Sequence, residues 1–170
     1  MSNRRLRSRR RAAALTQTGV VGVLATARTV ESDRLASLVE RYADGVEVVT
    51  QPCPGLVERV EVGLLDGPET RALVEYCIDP LLARGIDVLV LGSTHFPFLR
   101  KLIAEVAPGV AIVDPAPAVA RQIARVVAER SIAEGTGSVV FSTTGDPALV
   151  EPVLRRLTGD PRAVVEQSAA

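Results

Sequence analysis

Tryptophan is absent from this 170-residue sequence, aromatic residues make up 3% of it, and histidine occurs once. So small an aromatic inventory leaves little surface on which nucleobases could stack. An excess of one charge is lacking too, because 20 basic and 20 acidic residues cancel. No overall basic field is therefore available to hold a nucleic acid. The two cysteines, Cys53 and Cys77, do not make a disulfide framework. No Cys/His cluster has zinc spacing, so no metal site is expected. Gly-rich phosphate loops of the Walker or dinucleotide type are missing, and no apolar run reaches membrane-spanning length. A soluble protein of the reducing cytoplasm fits these absences, with neither nucleic acid nor membrane as a partner.

Hydrophobic residues at 47% and charged residues at 24% describe a chain able to bury a core. The charge is unevenly placed. The opening "MSNRRLRSRRR" holds six arginines and no acid. It reads as a solvated terminus, and it has no apolar h-region of a secretory signal.

From residue 19 onward two kinds of segment alternate. "VVGVLAT" (20–26), "VEVVTQ" (46–51), "DVLVLGS" (87–93) and "AIVD" (111–114) are short, β-branched and almost continuously apolar. Strands covered by helices on both faces have this composition. Residues 31–43 place Leu35, Leu38, Val39 and Tyr42 on one helical face. A second helix opens at Pro68 and closes at Gly85, with Pro80 expected to kink or split it. Others are predicted from about Pro97 to before Pro108, over 116–135, and from Asp146 through "DPALVEPVLRRLTG", with Asp146 as its cap. "SVVFSTTG" (138–145) is one further strand. This β-α order predicts an α/β fold with a largely parallel, doubly wound sheet flanked by helices.

Ligands of such folds bind beyond the carboxyl ends of the strands. Three polar clusters fall at such ends: Thr26–Thr29, Ser93–His95 and Thr143–Asp146. In the second, Gly92 lets the backbone turn or a ligand approach, and two hydroxyls and an imidazole follow. One reading gives Ser93 and Thr94 to capping the next helix, with His95 packed at its start. Another makes Ser93 and His95 a hydrolase pair, although the G-x-S-x-G elbow is missing.

The stretch "GIDVLVLGSTHFPFLRKLI" closely resembles the second-half active-site motif of bacterial glutamate racemases, a Gly-Cys-Thr-His-Tyr/Phe-Pro run ending a buried strand. "GVVGVLATARTVESDRL", "VEVVTQPCPGLVERVEVG", "VEYCIDPLLARGID" and "VVFSTTGDP" resemble the same family in the right order, over about residues 10 to 158. The resemblance implies a flavodoxin-like, aspartate/glutamate racemase-like fold and a cofactor-independent interconversion of L- and D-glutamate for peptidoglycan synthesis. In that family two cysteines face the α-carbon, one thiolate removing its proton and the other thiol supplying one to the opposite face. A thiol suits both tasks, since its pKa of about 8.5 is easily lowered by positive neighbours.

Two departures follow from the resemblance. Ser93 stands at the second catalytic cysteine position, and an alcohol is a far weaker acid. The first-half Cys-Asn-Thr run is missing, as though the chain started one lobe late. The family pattern implies an Arg-rich segment over 1–18, a second lobe over 19–116, and a return segment over 117–170 that would complete the first lobe. Ser93, His95 and Glu61 carry over as catalytic positions, with Thr94 and His95 contacting substrate; Val62 competes with Glu61 for its role. Cys53 carries over as a structural thiol, though a place before a helix start would lower its pKa, and Cys77 reads as a core residue. The expected ligand is glutamate, with aspartate as the alternative. Low or absent activity, self-association through exposed apolar faces, a separately encoded first lobe, and a non-catalytic binding module all follow as expectations.

Overall fold

The computed structural model describes residues 15–43, 45–130 and 139–168; the Arg-rich run through residue 14 and the predicted helix end and loop at 131–138 lie outside it. Four strands form one sheet: β1 (Val20–Ala25), β2 (Glu47–Pro52), β3 (Val88–Leu91) and β4 (Ala111–Val113). Their order is β2-β1-β3-β4 and every pairing is parallel. All four lie where the apolar runs predict them, so the α/β class holds. A second sheet pairs β5 (Phe141–Thr143) with β6 (Val165–Gln167), also in parallel. The sequence pattern gives no warning of β6, a three-residue strand with Glu166 at its centre. Thr143–Asp146 consequently ends a strand of the other sheet, apart from the first two polar clusters.

Side chains alternate across the four-stranded sheet with the period of two that a pleated strand imposes. Leu24, Leu89 and Leu91 point to one face, where they meet α3 (Leu56–Glu61), α4 (Pro68–Ala83) and α5 (Arg100–Val106). Leu56, Val60, Val74, Ile78, Leu81 and Ile103 are fully buried there. Val21 and Val88 point the other way, joined by half-buried Val46, Val90 and Val113. That face is flanked by α2 (Asp33–Tyr42) and α6 (Ala116–Glu129).

The helix predicted over 31–43 begins instead at Asp33, because Ser32 Oγ accepts the Leu35 N–H as its cap. A single turn, α1 (Ala27–Val30), precedes it. Leu35, Leu38 and Val39 share a face as expected; the Tyr42 side chain lies outside the described part. Pro80 does not split α4, which runs unbroken from Pro68 to Ala83. A proline forfeits one backbone hydrogen bond, but here Cys77, Ile78 and Leu81 are held in the core on either side of it. Phe96–Leu99 forms a 3-10 turn before α5, one residue ahead of the predicted helix start. The last helix, α7 (Pro147–Thr158), is capped by Asp146 as predicted, its Oδ1 accepting the Ala148 N–H at 2.9 Å.

Asp87 fixes the amino edge of the sheet. Its carboxylate accepts from Thr16 Oγ1 at 2.6 Å and from the backbone N–H groups of Gln17 and Thr18 at 2.5 and 3.1 Å. These bonds, the Thr16 hydroxyl foremost, hold its pKa down to about 2.

Candidate active site

β1 and β3 are adjacent central strands with Leu24 opposite Leu91. Their carboxyl ends therefore bring Thr26 and Ser93 to one edge of the sheet, and Asp114 follows β4 there. Gly92 earns its place through proximity. A Cβ on it would sit 2.8 Å from Leu24 O and 3.1 Å from the Ala25 Cβ. The sequence offers a sharp turn or a ligand as the reason for Gly92; the neighbouring strand is the one observed.

Beyond Gly92, Ser93 Oγ accepts the His95 backbone N–H at 3.3 Å. Neither hydroxyl caps the following turn, whose cap position is His95 with no side-chain bond. Thr94 is exposed. The His95 ring binds Glu61 at the end of α3, with Nε2 and Oε1 2.5 Å apart. Glu61 thus lies beside His95, whereas Val62 is 60% exposed and bonds through its backbone to Glu58. Among the described residues no side chain lies within hydrogen-bonding distance of the Ser93 hydroxyl to act as its base. The nucleophile-and-base geometry of a Ser-His hydrolase is accordingly not formed.

Ser93 and Thr94 stand at the polar rim of a cavity of about 640 Å³, within the range of small-molecule sites. Its floor is the second face of the sheet, and its walls are Leu35 and Leu38 of α2 and Val119 and Ile123 of α6. Thr29, Ser32 and Arg34 share the rim. Thr29 is part of the first polar cluster, and its Oγ1 lies 2.9 Å from Thr26 Oγ1. Ser32 and Arg34 escape sequence reasoning, since a serine and an arginine at a helix start read as a cap and a solvated charge. His95 and Glu61 do not line this cavity.

Cys53 and Cys77 are buried in the main core. The expected lowering of the Cys53 pKa is overturned. Its thiol is pushed up, first by the hydrogen bond with Cys77 and then by burial. Cys77, in turn, is drawn down by the same bond. Among the described residues no group of three or more His, Cys, Asp or Glu could hold a metal ion, and no helix is long and apolar enough to cross a membrane.

Residues 10–123 match the model of the Asp/Glu/hydantoin racemase family. The glutamate racemase of Pseudomonas aeruginosa (strain UCBPP-PA14) is 49% identical over 156 residues, covering 90% of this chain and 59% of its own length. A glutamate racemase isoform from Bacillus anthracis superposes with a TM-score of 0.81 at 27% identity, over 95% of this chain and 62% of that one. The Escherichia coli glutamate racemase, solved with L-glutamate and the activator UDP-MurNAc-Ala, gives 0.79 at 27% identity, over 94% and 62%. The chain thus spans about three fifths of the length of these relatives. With the parallel order β2-β1-β3-β4 and the Ser93–His95 run at the end of β3, these likenesses have one reading: the chain belongs to the Asp/Glu/hydantoin racemase family.

Proposed function

We propose that this chain is the Ser93-bearing part of a cofactor-independent glutamate racemase fold serving peptidoglycan synthesis, with little or no racemisation of its own. Residues 19–116 act as one lobe of that fold and residues 117–170 as a return segment contributing to the other. The observation that carries this reading is the Ser93–Thr94–His95 run at the carboxyl end of β3, in a chain 49% identical to a glutamate racemase. Thr94 and the Arg34 guanidinium on the cavity rim offer a hydroxyl and a cation to a glutamate carboxylate. His95, held by Glu61, lies outside the cavity and acts on it only through the Ser93–Thr94 backbone it anchors.

The weak step is proton abstraction. The Ser93 hydroxyl ionises far less readily than a thiol and has no described base beside it. Positioned acid-base groups contribute about 10²–10⁴-fold. The expected α-proton exchange is therefore at least about two orders of magnitude below that of a two-thiol racemase. Deuterium incorporation at the glutamate α-carbon, followed by NMR, tests this directly. Slow exchange that rises in Ser93→Cys supports the reading; rapid exchange from the parent, lost in Ser93→Ala, overturns it.

A second reading, a binding module derived from the racemase lobe, is favoured by the same unassisted hydroxyl. Calorimetric titration with L-glutamate, D-glutamate and L-aspartate separates the two. Heat with glutamate but no deuteration identifies a binder.

A further inference from the structure

The cavity on the second face of the sheet has two kinds of surface. Floor and walls are aliphatic: Val21, Val23, Val48 and Val90 on the strands, Leu38 on α2 and Ile123 on α6. The rim is polar. Of the described residues lining the cavity, only Arg34 and Asp114 carry a charge, and their signs are opposite. Arg34 stands exposed on α2, and its guanidinium has no ion-pair or hydrogen-bond partner among the described residues. Asp114 leads into α6, where its Oδ1 accepts the Ala116 N–H at 2.8 Å and leaves Oδ2 for another donor. Glutamate matches this surface only in part. It has two carboxylates, and a single cation lines the cavity. The second carboxylate must stay in water or meet the valine floor, where an unpaired charge is costly. A volume of about 640 Å³ also leaves room for a larger body.

We infer that this cavity selects an α-amino acid with a long apolar side chain. Arg34 receives the carboxylate, Asp114 receives the ammonium, and the side chain lies over the strand valines toward Ile123. One cation and one anion at the rim match a zwitterion sign for sign. The aliphatic floor matches the remainder, since each methylene laid on it leaves water. The inference rests on the proposed reading that the cavity takes an amino acid, and it names the side chain preferred there. It asks nothing of Ser93 as a base.

The test is calorimetric titration of the full chain with 2-aminobutyrate, norleucine and 2-aminooctanoate, beside L-glutamate. Each buried methylene is worth about fourfold in affinity, so norleucine should bind about fifteenfold more tightly than 2-aminobutyrate. The longer 2-aminooctanoate should bind more tightly still. Arg34→Gln, a change at an exposed site, should weaken every member of the series by about fivefold or more. Ile123→Ser should lower the affinity for 2-aminooctanoate relative to 2-aminobutyrate by about fivefold. Octanoate and octylamine, each carrying half of the zwitterion, should bind at least about tenfold more weakly than 2-aminooctanoate. Affinity indifferent to chain length overturns the inference, as does glutamate binding more tightly than 2-aminooctanoate. Octanoate or octylamine equalling the amino acid would reduce the site to an apolar surface and sink it as well. Heat from glutamate alone defeats this inference and leaves the proposed glutamate site standing, whereas heat from none of them defeats both.

Discussion

The two faces of the four-stranded sheet are built from the same strands, yet one is a closed core and the other an open trough. On the first, α3, α4 and α5 bury Leu56, Val60, Val74, Ile78, Leu81 and Ile103 completely. On the second, among the described residues, α2 and α6 flank a gap that leaves Val119 and Ile123 56% and 58% exposed. The strand sequences do not cause this. Alternating residues are apolar toward both sides, Leu89 and Leu91 one way and Val88 and Val90 the other. The difference lies in what covers them. A strand specifies which side chains need shelter; the helices decide whether they find it.

Mutations on the two faces put that contrast to the test. The largest effect is expected at Ile78→Ala, where loss of a fully buried side chain costs about 2–5 kcal/mol in urea unfolding. A loss below 1 kcal/mol would mean that the closed face is no better packed than the open one. Gly92→Ala is next. Its methyl would meet the Leu24 carbonyl at 2.8 Å, and such overpacking costs about 1–3 kcal/mol, read as a fall in Tm.

The Asp87 clamp sharpens the comparison through pH. Its folded pKa, near 2, lies below the ordinary 3.8. Its contribution is therefore fully present above the ordinary value and disappears as pH falls through the folded one. Asp87→Asn should remove this acid-dependent part of the stability curve, as measured by unfolding between pH 5 and pH 2. The smallest effect is expected at Ile123→Ser on the open face, within about 0.5 kcal/mol of the parent. A large loss there would show the trough to be filled in solution.

The sequence makes the central sheet legible because each buried strand is a short β-branched run bounded by turn residues, as "DVLVLGS" is. It does not make β6 legible. Three residues centred on Glu166 carry neither an apolar run nor a clean alternation, and only pairing with β5 defines them as a strand. At the candidate site, the strand-end rule and the family motif point to Ser93, Thr94, His95 and Glu61, of which the structure brings Ser93 and Thr94 to the cavity and pairs His95 with Glu61. They do not reveal that Ser93 and Thr94 border the cavity while the His95–Glu61 pair lies outside it. That division depends on the His95 ring finding its partner in Glu61, 34 positions away, which no spacing encodes. The Cys53 thiol fails for a related reason. Its neighbour in space, Cys77, is 24 positions away in the chain, and that neighbour together with burial raises the thiol.

The contact at Gly92 separates reactivity from spacing. In the proposed reading, position 93 carries the side chain that would set which acid-base chemistry is available, and swapping oxygen for sulfur there alters a single half-buried atom. Position 92 carries nothing, and that emptiness is what allows β3 to lie against the end of β1. The chemical character of this edge is thus easy to exchange, while its dimensions are locked by a hydrogen where any other residue would bring a carbon.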